Sequence, residues 1–350
     1  MITAMLKVSA DMSDVQDIQA ITAAADIILA GGLVAMPTET VYGLAANAFD
    51  EKAVLSVFSA KGRPADNPLI LHICDMNMLE DIAYDIPDKA RELAHKFWPG
   101  PLTMIFKRKD TIPAICSAGL DTVAVRFPAH SAARALINAA GVPLAAPSAN
   151  CSGRPSPTSA RHVENDLLGR IDAIIDGGEC EIGLESTVIS FDGEPMVLRP
   201  GGITPEQIAS VIGSVKVDEA VLKPLDLDEQ PNSPGMKYTH YAPRTTVILC
   251  EGNRQDYIIY VNDQHERHGD ICALCPEEIS GEILSPCLSL GHVDDAADQS
   301  HRLFAALREV DGLGSTVCYI YAPQKQGLGL AVYNRLLRAS GFNVIQVGKN

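Results

Sequence analysis

Long apolar runs, aromatic side chains and basic charge are all scarce in this 350-residue sequence. Tryptophan occurs once, aromatic residues make up 5%, and no apolar run is long enough to cross a bilayer as a helix. Lysine and arginine number 28 against 44 aspartates and glutamates, a formal net charge of -16. Bulk repulsion at that charge disfavours a protein whose main role is to coat nucleic acid or an anionic membrane, although a local basic cleft stays compatible with it. Residues 1–10 lack the basic start and long apolar core of a secretory signal, so a cytoplasmic location is expected. A disulfide framework is missing too: nine cysteines, an odd number scattered through apolar segments, read as small buried hydrophobes in a reducing compartment. There is no internal repeat and no low-complexity tract.

What is present is an alternation of strand-like and helix-like runs, the mark of an α/β fold, over a length that suggests two domains. Val15 to Leu29 reads as a helix and Leu33 to Met36 as a strand. Further strands are expected at Leu69 to Ile73, Leu102 to Lys107, Val123 to Phe127, Leu144 to Ala146, Ile171 to Ile175, Ser186 to Phe191 and Met196 to Arg199. Several of them lie close together without helices long enough for regular crossovers, which predicts a mixed sheet. Thr204-Pro205-Glu206 opens a helix with a capping hydroxyl and a first-turn proline. The pattern then lapses into a proline-containing stretch, and a second α/β pattern follows. Its strands are near Thr246 to Cys250, Ile271 to Leu274 and Thr316 to Tyr321, and its helices near Ala296 to Val310 and Gly329 to Ala339. The expected division is a first domain over 12–212, a linker over 213–244 and a second domain over 245–350.

The chemistry concentrates in the first domain. Pro37-Thr38-Glu39-Thr40-Val41-Tyr42-Gly43-Leu44 follows the strand at Leu33 to Met36, placing hydroxyls and a glycine at a strand's carboxyl end, where open α/β sheets bind ligands. Lys61-Gly62-Arg63-Pro64 and Asn67-Pro68 come at the far end of a helical stretch opened by Asp50. Lys61 and Arg63 either cap that helix's last carbonyls or neutralise an anion. The second reading gains weight because Arg126, Arg154 and Arg199 also sit at strand ends or in Gly/Pro loops. Arginine contacts to phosphate are charge-assisted and each contributes about 1.5–3 kcal/mol. Ala146-Pro147-Ser148-Ala149-Asn150-Cys151-Ser152-Gly153 and Leu184-Glu185-Ser186-Thr187 add neutral donors, or else are ordinary turns. Neither loop matches the G-x-x-x-x-G-K-[ST] or G-x-G-x-x-G fingerprint. The residues themselves thus point to a nucleotide or phosphate enzyme with a second polar substrate.

In combination and in order, these motifs resemble the YrdC-like family of L-threonylcarbamoyladenylate synthases over about residues 15–210. Ser233-Pro234-Gly235-Met236-Lys237-Tyr238-Thr239-His240-Tyr241-Ala242-Pro243 is similar to the linker signature of the family's longer, two-domain branch. The resemblance implies a twisted open mixed sheet with a concave basic face, joined to a smaller Rossmann-like α/β domain. It implies that ATP, L-threonine and bicarbonate become threonylcarbamoyl-AMP and pyrophosphate with Mg2+ assisting, and that the product passes to downstream machinery modifying tRNA to threonylcarbamoyladenosine. Whether tRNA itself touches the protein stays open. By the same resemblance Lys61, Arg63, Asn67, Ser148, Asn150, Ser156 and Arg199 face ATP, with Thr122 near its base or ribose. Lys61 and Arg63 serve catalysis by neutralising charge. Thr40, His72, Arg126 and Ser186 hold threonine, Arg126 taking the carboxylate.

Other features admit simpler readings. His72 on a strand is either a satisfied structural residue or, as the resemblance implies, a threonine contact. Tyr238, His240 and Tyr241 either pack between domains or belong to a lid that keeps water from a labile mixed anhydride, with Tyr238 and His240 then reaching ATP. His265-x-x-His268-x-x-x-Cys272-x-x-Cys275 has zinc-like spacing, yet strand alternation turns its two cysteines to opposite faces, so no protein-bound metal is expected. Two rivals stand beside the synthase reading. One is an RNA-binding module using the basic concavity, and the other a carbamoyl-handling domain like those of hydrogenase-maturation carbamoyltransferases, whose acylphosphatase and zinc-finger-like segments this chain lacks.

Overall fold

The computed structural model describes residues 2–9, 12–223 and 241–348. Among these, 2–9, 12–152 and 156–218 form one compact unit, and 153–155, 219–223 and 241–348 form another.

In the first unit, β1 (Ala4–Lys7) precedes α1 (Val15–Leu29), where Asp14 and Asp17 form a capping box. β2 (Val34–Met36) and β3 (Gly43–Asn47) follow. The Asp50 side chain then accepts the N–H groups of Lys52 and Ala53 to open α2 (Glu51–Lys61), which ends at a left-handed Gly62. Next come β4 (Ile70–His72), α3 (Met76–Ile82), β5 (Ala83–Tyr84), α4 (Asp88–Phe97), β6 (Leu102–Arg108) and β7 (Thr122–Arg126). Then follow α5 (Ser131–Ala140), β8 (Leu144–Ala145), α6 (Ala160–Leu167), β9 (Ala173–Asp176), β10 (Thr187–Ser190) and β11 (Met196–Arg199). A Thr204–Gln207 capping box opens α7 (Pro205–Ile212), and β12 (Lys216–Val217) closes the unit.

These strands make one sheet in the order β1-β9-β2-β3-β8-β4-β7-β6-β10-β11-β12, with β5 on β6. Parallel pairs such as β4–β7 and antiparallel pairs such as β6–β7 coexist, so the sheet is mixed as expected. Helices do lie between the strands, namely α3, α4, α5 and α6, but they are as short as the mixed sheet led one to expect. They run only seven to ten residues, too short for the 3.6-residue period to stand out. One difference is β12, which pairs with β11 inside the stretch read as linker.

The sheet is covered differently along its width. At β2 and β9, Val34, Met36, Ala173 and Ile175 pack with Ile28 of α1 and Leu136 and Ile137 of α5. Ala35 and Ile174, one residue out of phase, pack with Val57 of α2 and Val163 of α6. Burial on both faces explains why these strands read as unbroken apolar runs. At β4, β7 and β6, Leu71, Val123, Val125, Met104 and Phe106 share a core with α3, α4 and α7. Alternation therefore turns His72, Arg126 and Thr103 to the opposite face.

The second unit contains β13 (Thr246–Glu251), α8 (Arg254–His268), β14 (Ile271–Cys275), α9 (Glu277–Ser280) and β15 (Cys287–Ser289). It continues with α10 (Ala296–Val310), β16 (Val317–Tyr321), α11 (Gly327–Ala339) and β17 (Val344–Gln346). Its sheet, β15-β14-β16-β13-β17, is wholly parallel, the Rossmann-like arrangement expected. The sequence pattern did not disclose α8, which is largely polar and buries only Tyr257, Ile258 and Val261.

Gly201, just beyond β11, is held against the backbone of Glu185–Thr187: a Cβ there would lie 2.3 Å from the Thr187 nitrogen and 2.4 Å from the Ser186 carbonyl carbon. Backbone cannot rotate aside as a side chain can. Gly201→Ala is therefore expected to cost about 1–3 kcal/mol, read as a lower midpoint in urea unfolding of the first unit. An unchanged midpoint would show that this contact is not tight.

Candidate active site

The strand register lines up a row of polar groups. His72 in β4 pairs with Arg126 in β7, Arg126 with Thr103 in β6, Thr103 with Val188 in β10, and Val188 with Arg199 in β11. Residues directly opposite in a ladder share a face, and strands lie about 4.8 Å apart. The row from His72 to Arg199 thus spans roughly 19 Å, four such spacings.

Arg126 is the centre of this row. It is 4% exposed, and loops supply its partners: Nη1 donates to Thr40 Oγ1 at 2.7 Å, Nε donates to the Gly100 carbonyl at 3.3 Å, and Nη2 lies 2.7 Å from Glu39 Oε1. The other Glu39 oxygen accepts the Ala129 N–H at 3.1 Å. Thr38 shapes the turn that delivers Glu39 and Thr40: its hydroxyl donates to the Val41 carbonyl at 2.6 Å and accepts the N–H groups of Thr40 and Val41.

Beside Arg126, His72 is 3% exposed, with Nδ1 3.2 Å from the Ile70 carbonyl. Burial, reinforced by the Arg126 charge, pushes its pKa down from 6.5 to about 3, so the ring is neutral at ordinary pH. On the other side, the Ser186 and Thr103 hydroxyls are 2.7 Å apart. Arg199 donates to the Ser186 carbonyl through Nε at 3.1 Å and Nη2 at 3.0 Å, and to its hydroxyl at 3.2 Å.

A second cluster joins the row through the backbone. Leu44 N–H bonds the Pro147 carbonyl, Ala149 N–H bonds the Tyr42 carbonyl, and Gly43 bridges Ser148, which zips the 38–44 loop to the 147–150 loop. Lys61, 3% exposed, sends its ammonium to the carbonyls of Ser148 and Asn150. Arg63 donates to the carbonyls of Asn67 and Pro68 at 3.2 and 3.3 Å. Neither of these contacts goes to a carbonyl of α2, and the Gly62 N–H bonds the last turn instead. The Asn150 amide donates to the Cys151 carbonyl at 2.8 Å, and Ser156 donates to Glu185 Oε1 at 2.6 Å.

Thr40, His72, Arg126, Ser186 and Arg199 therefore belong to one row and its covering loops, and Lys61, Arg63, Asn67, Ser148 and Asn150 to the adjoining loops. Ser156 reaches the row through Glu185, the neighbour of Ser186. Thr122 stands apart at the other end of β7, four residues from Arg126 and so roughly 13 Å away. Tyr238 and His240 lie outside the described residues, as does most of the expected lid. Sequence reasoning gave no role to Glu39, Thr38 or Thr103. The available signal for Glu39 was an acid flanked by hydroxyls directly after an apolar strand, and for Thr103 a polar residue inside one. Among the described residues no group of three or more His, Cys, Asp or Glu is arranged to hold a metal.

Comparison with known proteins bears on both units. A family model for Sua5, YciO and YrdC, described as telomere recombination, matches residues 26–201. A second, described as the C-terminal domain of threonylcarbamoyl-AMP synthase, matches residues 203–341. The threonylcarbamoyl-AMP synthase of Pyrococcus abyssi is 48% identical over 332 residues, covering 93% of this chain and 95% of that protein. The threonylcarbamoyl-AMP synthase of Bacillus subtilis is 46% identical over 331 residues, covering 93% and 94%. The crystal structure of P. abyssi Sua5 complexed with L-threonine matches with a TM-score of 0.91 at 45% identity, over 99% of this chain and 100% of that one.

Two outcomes follow from the buried charges. Removing one partner of a buried ion pair strands the other, so Glu39→Ala is expected to destabilise the first unit by about 3–5 kcal/mol, and adding Arg126→Met should restore much of the loss in the same urea titration. Equal stability of Glu39→Ala and wild type would rule the pairing out. For His72, a folded-state pKa below the unfolded value means that the unfolded chain takes up the proton first. Its contribution is complete above pH 6.5 and declines as pH falls toward about 3. His72→Gln should flatten that part of the stability curve relative to wild type, and parallel curves would contradict the assignment.

Proposed function

The chain belongs to the Sua5/YciO/YrdC family, in its two-domain threonylcarbamoyl-AMP synthase branch, and on that premise we propose how its residues divide the work. The protein is an enzyme, a nucleotidyltransferase that forms threonylcarbamoyl-AMP from ATP and L-threonine for tRNA modification. In the proposed sequence, bicarbonate gives up hydroxide to become carbon dioxide, the threonine amine adds to that carbon and releases a proton to leave a carbamate, and the hydroxide and proton depart as water. A carbamate oxygen then attacks the α-phosphate and pyrophosphate leaves. Positioning and charge neutralisation dominate such a displacement.

The observation that carries the assignment is the buried Arg126, fixed by Glu39 and Thr40 beside a neutral His72. A guanidinium so held suits the threonine carboxylate, with Thr40, His72 and Ser186 around the rest of that substrate. Lys61, Arg63, Asn67, Ser148, Asn150, Ser156 and Arg199 take ATP, and Thr122 lies toward its base or ribose. Lys61 and Arg63 neutralise charge on the phosphates as pyrophosphate departs. The contacts of Lys61 with Ser148 and Asn150 and of Arg63 with Asn67 and Pro68 are to backbone carbonyls, which a triphosphate can replace or share. Glu39 is engaged by Arg126 and Glu185 by Ser156, and among the described residues no group of three or more His, Cys, Asp or Glu is arranged to hold a metal. Mg2+ is therefore proposed to arrive on the triphosphate rather than in a cage of protein ligands.

The working division is a catalytic domain over 12–212, a linker over 213–244 and a C-terminal domain over 245–350. As the family resemblance implies, the linker is proposed to serve as a lid with Tyr238 and His240 toward ATP; both residues lie outside the described residues. The enzyme is proposed to work in the cytoplasm and to hand its product to the machinery that transfers the threonylcarbamoyl group to tRNA. The RNA-binding module has no comparable support: similarity to synthases spans 93% of the chain, and the net charge is -16.

Pyrophosphate release should require L-threonine, bicarbonate, ATP and Mg2+ together, each omitted in turn from a coupled assay. Undiminished release without threonine would turn the reading into a plain pyrophosphohydrolase. Arg63→Ala should weaken ATP binding by about ten- to a hundredfold, the loss of one charge-assisted contact, while leaving the unfolding midpoint within about 0.5 kcal/mol of wild type. Early melting with normal turnover would assign Arg63 to the fold instead.

A further inference from the structure

The second unit contains a cavity of its own. About 410 Å³ opens at the carboxyl edge of its parallel sheet, between Glu251–Arg254 after β13 and Tyr321–Lys325 after β16, with Pro276, Leu290 and Val293 forming an apolar wall. Its position follows from topology. From β13 the chain moves through α8 to β14 and through α9 to β15, one way along the sheet; through α10 to β16 and through α11 to β17 it moves the other way. Right-handed crossovers place the two helix pairs on opposite faces, and α10 packs on α11. β13 and β16 are neighbours whose chains leave toward opposite faces. The gap between their ends is the switch point, where open α/β sheets take their ligands.

The walls select the ligand's chemistry. Lys325 is already committed, 2.6 Å from Glu251 and 4.4 Å from the Tyr333 ring centroid. Arg254 is held more loosely: its nearest carboxylate, Asp294, is 3.9 Å away and largely exposed, and the guanidinium is half exposed into the cavity beside Tyr321. Gln324 offers a neutral amide on the same rim. Two acids share the lining, Glu251 paired with Lys325 and Asp294 at 3.9 Å from Arg254; the half-exposed guanidinium and the Gln324 amide beside an apolar wall suit a molecule with an anionic head and a flat or apolar body. The volume fits something of mononucleotide size.

We infer that the second unit binds a small anionic ligand of mononucleotide size at the β13–β16 switch point, with Arg254 as its anion contact. A phosphate and a carboxylate head share this chemistry, so the test has two arms: AMP, and adenosine 5′-carboxylate as its phosphate-free counterpart. Hydrogen exchange of the full chain is followed on adding each in turn. At least one of them should protect amides in 251–254 and 324–329, a region distinct from the ATP-facing loops of the first unit, so failure here leaves the catalytic reading untouched. Arg254→Glu should weaken that protection at least tenfold in apparent affinity, and Gln324→Glu, also on the exposed rim, should do the same if Arg254→Glu folds poorly. Absence of protection by either probe at millimolar concentration, or protection that survives both folded variants, would overturn the inference.

Discussion

A guanidinium buried at the end of β7 has to be answered by charge, and most of the first unit's local architecture follows from how Arg126 is answered. The desolvation of such a group is costly, and a buried ion pair seldom stabilises a fold more than well-packed hydrophobes of the same volume would. Its presence therefore calls for a reason other than stability. Glu39 meets the guanidinium at Nη2, while Thr40 and Gly100 fix its plane. An arginine held this rigidly can meet an incoming carboxylate without having to be ordered first. The turn at Thr38, the zipper between the 38–44 and 147–150 loops and the tether of Lys61 to that second loop all serve to keep Glu39 and Thr40 in place.

The sheet supplies the rest by periodicity. One face of β4, β7 and β6 is closed by α3, α4 and α7, so alternation alone delivers His72, Arg126 and Thr103 to the other face, in register. The neutral state of His72 is a consequence of this placement: a second positive charge beside Arg126 in so buried a position would be strongly disfavoured. The parallel sheet of the second unit follows the same logic at its own carboxyl edge, where a reversal of chain direction rather than a loop motif creates the cavity.

Much of this was legible in the residues. The bounds of α1 and β11 and the start of α7 coincide with those read from apolar runs and caps, and Asp50 and Thr204 advertise helix starts with side chains that accept backbone N–H groups. The hydroxyl- and cation-bearing loops were visible for a similar reason, since such residues are out of place unless something polar needs them. β3 was not legible. Gly43–Asn47 is made of small residues with weak strand preference, and it becomes a strand only because β2 and β8 pair with it. The short helices α3 to α6 hid behind too few turns, and α8 behind its polarity. The role of Glu39 was hidden as well, since nothing in a linear pattern distinguishes a solvated glutamate from one facing an arginine far along the chain.

Arg126, prepared by Glu39 and Thr40, is proposed to recognise the carboxylate of the amino-acid substrate. This recognition is tested most directly by comparing the affinity of the protein for L-threonine with that for L-threoninol, which keeps the amine and hydroxyl but has no carboxylate, by calorimetry in the presence of ATP. L-threoninol should bind about ten- to a hundredfold more weakly, the equivalent of one charge-assisted contact, and Arg126→Met should bring L-threonine down to the same level. Equal affinity for the two compounds in the wild-type protein would contradict it.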